Sequence, residues 1–186
     1  MLPSGYPRLD AWLPGGGWPA GRLTEIAVER WGSGELALLM PLLAQLSGSV
    51  DGRAGQWLGF LGPPFLPYPP ALAAAGIDPA QVLLVRPTDD DEILWAAEQA
   101  LRSGDCAIVL AWAGRATGPC LRRLQLAAEA GRTPLLLFRP PAALAAPSPA
   151  ALRLRVAAGA QGASLHLHKH QGGNATALSL SALQAQ

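Results

Sequence analysis

Apolar residues along this chain follow two periods, and the change from one to the other divides the sequence. Between residues 23 and 138, short and mostly apolar runs at 23–28, 56–60, 82–85, 107–111 and 135–138 alternate with segments of helical spacing. Leu39, Leu42, Leu43 and Leu46 mark one helix face, and Ile93, Ala96, Ala97, Ala100 and Leu101 mark another. Residues 121–130 read as a further helix. Buried runs separated by helices predict parallel strands covered on both sides. Beyond an Ala/Pro connector at 140–149 the period falls to two. Leu152, Leu154 and Val156 alternate with Arg153 and Arg155; Leu165 and Leu167 alternate with His166, His168 and His170; Leu178 and Leu180 alternate with small polar residues. That pattern predicts three antiparallel strands with one wet face at the sheet edge. The expected fold is therefore α/β, a mostly parallel central sheet flanked by helices on both faces, with antiparallel C-terminal strands at one edge. Residues 1–186 suit one domain of this kind.

Punctuation residues refine the picture. A small helix is expected at 7–13, a glycine-rich turn at 15–17, and a short helix at 71–75 ended by Gly76. Pro41 either sits in the first turn of its helix or bends it. The segment GPPFLPYPP at 62–70 cannot supply ladder donors and should run extended over the surface, as a rigid connector or as a partner-binding loop. Four acids at 89–92 fall in the first turn of a helix, where the dipole favours them without any catalytic role.

The most informative stretch is 13–43, LPGGGWPAGRLTEIAVERWGSGELALLMPLL. A strand, a glycine loop at Gly32, Ser33 and Gly34, and a helix follow in the order of a P-loop, where backbone N–H groups and a helix N-terminus cradle phosphates. The P-loop pattern G-x-x-x-x-G-K-[ST] needs a lysine and a hydroxyl, and this chain has Glu29 at the first glycine, Glu35 at the lysine and Leu36 at the hydroxyl. Like charges 4 Å apart repel by roughly 4 kcal/mol at an effective dielectric of about 20, so Glu35 opposes a triphosphate. The loop reads as a degenerate nucleotide site kept as architecture, with no cofactor expected.

Composition narrows the classes further. Half the residues are hydrophobic and 15% are charged, a folded chain with a rather apolar surface of the kind that meets partners. A net charge of +1 gives no global drive toward nucleic acid or membrane. Lys169 is the sole lysine among fourteen basic residues, a compositional habit rather than a function. Cys106 and Cys120 lack paired spacing and read as buried free thiols of a reducing compartment. Without an apolar run of membrane length or a leader pattern, the expected location is the cytoplasm.

Among candidate binding residues, His166, His168 and His170 share a strand face, but no further ligand lies nearby in sequence, and solvated strand residues are preferred to a metal site. Arg153, Arg155 and Lys169 could line a basic surface that touches single-stranded DNA or a partner, or could form the solvent face of an amphipathic sheet. Trp12, Trp18 and Trp31 cluster around the glycine turns, as core packing or, for Trp31, as part of an interface.

The order of these motifs resembles the ATPase core of the RecA family: the TEI strand, the glycine loop, YPPALAAAGIDPAQVLLVRP, EILWAAEQALRSG and CAIVLAW. More narrowly, SGYPRLDAWLPGGGWPAG, ALAAAGID, LRRLQLAAEAG and SPAALRLR look like the ImuA family, RecA-like accessory proteins of translesion mutagenesis that are related to the SulA division inhibitors. The resemblance also implies an activating glutamate after the second strand and a metal-orienting aspartate at the end of the 107–110 strand. Gly62, Pro63 and Pro64 stand at the first position and Ala111 and Trp112 at the second, so no ATPase is expected. It further implies an accessory role in SOS-induced translesion synthesis, with RecA, ImuB and, through ImuB, an error-prone DNA polymerase as partners. The alternative it leaves is a SulA-like inhibitor that binds the tubulin-like division protein.

Overall fold

The computed structural model describes residues 1–32, 34–48, 56–159, 162–170 and 177–179, the last group and residues 158, 159, 162, 163, 169 and 170 by backbone alone. Eight strands form one sheet: β1 Leu23–Val28, β2 Trp57–Leu61, β3 Val82–Val85, β4 Cys106–Trp112, β5 Leu135–Arg139, β6 Leu152–Gly159, β7 Gly162–His170 and β8 Ala177–Ser179. Their order across the sheet is β3-β2-β4-β5-β1-β6-β7-β8. Pairings from β3 to β6 are parallel, and β6–β7 and β7–β8 are antiparallel. The three C-terminal strands are antiparallel to one another at the sheet edge, as the period of two predicts, and β6 joins them to the parallel strands through β1 in the register Glu25↔Arg153.

Helices α1 Pro7–Trp12, α2 Met40–Ser47 and α3 Pro69–Ala74 share a core with one sheet face, where Trp18, Ile26, Leu42, Leu43, Phe60 and Phe138 are all buried. Helices α4 Asp90–Ser103 and α5 Gly118–Gly131 share a core with the other, through Leu94, Ala97, Leu101, Leu121, Leu124 and Leu137. Each of these leucine, isoleucine and phenylalanine side chains contributes about 1.5–3 kcal/mol when fully removed from water, so both faces hold the sheet. The acidic run before α4 acts as its cap: Asp89 accepts from the Glu92 N–H at 2.9 Å, while Glu92 accepts from the Thr88 N–H at 3.0 Å. Asp90 accepts from the N–H groups of Gly114 and Arg115, which pins the loop after β4. Among the described residues no helix is long and apolar enough to cross a membrane.

Candidate functional site

The loop after β1 does not reach a helix where a P-loop would. Helix α2 begins at Met40 with Pro41 in its first turn, and the intervening residues form tight turns, Ala37 N–H to Gly34 carbonyl at 3.0 Å and Leu39 N–H to Leu36 carbonyl at 2.8 Å. Helical spacing was legible at Leu39, but the proline, with no N–H and a fixed φ, sets the helix start beside itself. The N–H groups of the first helical turn therefore lie away from Gly32 and Gly34. The Tyr6 hydroxyl, whose pKa burial pushes up, donates to the Ala37 carbonyl at 2.9 Å and fastens these turns to the α1 segment.

Glu35, in the position of the absent lysine, turns inward and is 3% exposed. Its Oε1 accepts the Gly32 N–H at 2.8 Å, a side chain closing its own loop. The other oxygen, Oε2, is shielded from solvent and has no hydrogen-bond partner among the described residues. Above the loop lies the proline-rich connector. At its start Gly62 has φ +63° and sits so close to Ile93 that a Cβ would fall 2.4 Å from Cδ1. Phe65 packs over Gly32, also at positive φ, where a Cβ would meet the ring at 2.7 Å. Trp112, at the end of β4, stacks on Phe138 with centroids 4.7 Å apart, and its indole N–H is buried with no partner among the described residues.

Together Gly32, Gly34, Glu35 and Leu36, residues 63–67 and Trp112 line a cavity of about 240 Å³. It lies outside the carboxyl ends of β1, β2 and β4, where open α/β sheets place their ligands. Its walls are mostly apolar, and among the described residues its lining includes two side chains with a buried, unpaired polar atom, Glu35 Oε2 and Trp112 Nε1. A phosphate would meet Glu35 with like charge. One carboxylate does not make a metal site, and no group of three or more metal-ligating side chains occurs among the described residues. The arrangement suits a cation carried on an apolar stem.

The residues expected to form a basic or partner-binding surface lie on neighbouring strands, Arg153 opposite Lys169 in the β6–β7 register, but Arg153 does not face solvent with Arg155. Arg153 is buried: its Nε lies 2.8 Å from Glu25 Oε2, an ion-pair separation without an aligned hydrogen bond, and its guanidinium donates to the carbonyls of Ala143, Leu144 and Ala146. The connector at 140–150 folds back over this face of β6, so alternation there does not mean a wet side. That corrects the DNA- or partner-binding reading of Arg153. Arg155 is exposed and paired with Glu29. Lys169 and His170 are described by backbone alone, and Ser33 lies outside the described residues. His166 and His168 are exposed on β7. Trp31 is half-buried against the core.

Glu25 is what the sequence reading missed. It accepts from Arg139 Nη1 at 2.7 Å as well as pairing with Arg153, and all three side chains are buried. A lone carboxylate inside a short apolar strand was the available signal, since a buried charge demands a partner. The thiols are free as expected, Cys106 buried and Cys120 half-buried, and burial raises both pKa values, for Cys106 with help from Asp105. Neither has the depressed pKa of a nucleophile.

The chain is 37% identical over 113 residues to the cell division inhibitor SulA of Edwardsiella piscicida, covering 60% of this chain and 64% of the relative. It is 31% identical over 104 residues to the cell division inhibitor SulA of Pseudomonas aeruginosa, covering 56% of this chain and 63% of the relative. The matches thus span just under two thirds of the length of these curated relatives. The crystal structure of SulA from Pseudomonas aeruginosa superposes with a TM-score of 0.51 at 28% identity, covering 65% of this chain and 98% of that one. No family model matches the chain. Sequence and mixed α/β fold are therefore SulA-like. These relatives overturn the expectation of a translesion accessory protein with RecA, ImuB and an error-prone polymerase as partners, because both carry the name of a division inhibitor.

Proposed function

We propose that this protein is a SulA-type inhibitor of cell division, acting in the cytoplasm after DNA damage by binding the tubulin-like division protein. The observation that carries the reading is the 37% identity to a protein named for that activity. The surface supports binding rather than turnover. Phe65, Leu66 and Tyr68 on the proline-rich connector, Leu83 and Leu84 on edge strand β3, and Trp57 and Trp95 are all exposed large apolar side chains. The cluster of Phe65, Leu66 and Tyr68 within one short connector is the most suited of these to meet a partner.

The reading is non-catalytic. Glu35 and Leu36 at the lysine and hydroxyl positions, Gly62 to Pro64 after β2, and Trp112 at the end of β4 leave no group to neutralise a triphosphate, hold its metal or orient water. The strand, glycine loop and helix order is the remnant of a RecA-like ATPase core whose nucleotide site has become part of a binding surface. Inhibition would then follow occupancy alone.

The test is GTP-driven assembly of the purified division protein, followed by light scattering and by co-sedimentation with and without this protein. Assembly should fall in proportion to added inhibitor and without ATP. Undiminished assembly together with no retention of either protein by the other would sink the reading, and an absolute ATP requirement would remove its non-catalytic part.

A further inference from the structure

We infer that the cavity between the glycine loop and the proline-rich connector is a receptor for a basic side chain, a lysine or arginine projecting from an otherwise apolar segment of a partner protein. The inference deepens the division-inhibitor reading and rests on it for the identity of the partner, though not for the chemistry of the pocket.

Three observations converge. Glu35 is almost wholly buried, yet only Oε1 has a partner, the Gly32 N–H; Oε2 is sealed from water and unpaired among the described residues. A carboxylate oxygen held in this state is costly unless something completes it, and a charged donor completes it best. Second, Trp112 lines the same cavity, and its indole N–H is buried and unpaired among the described residues. It is a donor for a carbonyl of the segment that delivers the cation. Third, the walls between them, Leu36, Pro63, Pro64, Leu66 and Pro67, are apolar and suit the aliphatic stem of lysine or arginine. Phe65 and Leu66 project from the rim at 65% and 62% exposure and can pack on apolar neighbours of the anchoring residue.

The charge agrees with this reading: a buried carboxylate at Glu35 opposes a phosphate and attracts a cation.

The experiment titrates the full-length protein with N-acetyl-arginine amide, using N-acetyl-citrulline amide as the isosteric uncharged control, and follows ¹H–¹⁵N cross-peaks. The arginine derivative should shift the Trp112 indole N–H and the Gly32 and Gly34 amides, and citrulline should bind about tenfold more weakly or worse. Glu35→Gln, which keeps an acceptor for the Gly32 N–H, should leave the spectrum otherwise native and abolish the arginine-specific shifts. Equal response to both probes, shifts that persist in E35Q, or no response of the wild-type protein would each overturn the inference.

A second arm separates this from the parent reading. If wild type blocks assembly of the division protein and E35Q blocks it equally well, the cationic anchor is wrong while division inhibition stands. If neither affects assembly while the arginine-specific shifts depend on Glu35, division inhibition is wrong and the pocket stands.

Discussion

Two glutamates of this protein are buried to nearly the same degree and play opposite parts. Glu25, 1% exposed in the middle of β1, is flanked by Arg139 at 2.7 Å and Arg153 at 2.8 Å, and the arginines spend further donors on the carbonyls of Ala116, Ala143, Leu144 and Ala146. Glu35, 3% exposed beyond the end of the same strand, satisfies one oxygen within its own loop and leaves the other buried without a hydrogen-bond partner among the described residues, in a residue that lines a cavity. A closed charge cluster organises the fold, here by holding the 140–150 connector against β6. An open one has an unmet requirement, which is what a binding site is. Both second oxygens are buried without a hydrogen bond, but Glu25 Oε2 has a guanidinium 2.8 Å away while Glu35 has no ion-pair partner among the described residues; the difference lies in the counter-charge, not in burial.

The same substitution at the two sites should therefore act in opposite directions. Glu25→Leu leaves two buried guanidinium groups without a counter-charge and is expected to cost about 3–5 kcal/mol, read as a fall in urea midpoint at constant slope. Little or no loss would mean that water reaches the cluster. The combination E25L/R139M/R153M should recover most of that deficit, since buried ion networks exchange for apolar packing at little net cost. A triple variant as unstable as the single one would show instead that the arginines' bonds to the connector carbonyls, rather than the charge pairing, hold that face.

How much of this was legible in the sequence follows from the range of each interaction. Strands β1, β2, β4 and β5 were readable because burial on both faces writes a local apolar run, and α4 because its stripe and its cap at Asp89 lie within one segment. The burial of Arg153 was not, since Arg153 and Arg155 alternate identically although residues 143–146 cover the first and solvent the second. The start of α2 turned on whether Pro41 bends a helix or begins it, and its place in the first turn leaves the glycine loop without a helical N-terminus. That Glu35 stands where the P-loop pattern has lysine was plain, but its burial was not. Phe65 and Trp112 reach that position from two other strand ends, through contacts that no local pattern records.

On the binding side, Phe65→Ala should weaken retention of the division protein by about 2 kcal/mol, the scale of an aromatic anchor, while fold stability stays within about 0.5 kcal/mol because the ring is largely exposed. Titration calorimetry beside a urea melt gives both numbers. Unchanged affinity would move the interface away from the connector, and a large stability loss would make Phe65 a structural cover of Gly32 instead.

The smallest effect discriminates most sharply. Glu35→Leu removes an unpaired buried oxygen and substitutes an apolar side chain in an apolar cavity; its one lost bond is to the N–H of Gly32, an exposed residue that water can serve. The balance favours a gain of about 1 kcal/mol in stability, the reverse of Glu25→Leu, with loss of partner binding. Such a gain is the mark of a residue kept for what it binds at the expense of the fold. A loss comparable to that at Glu25 would mean that Oε2 is already satisfied inside the folded chain, and the contrast between the two glutamates would collapse.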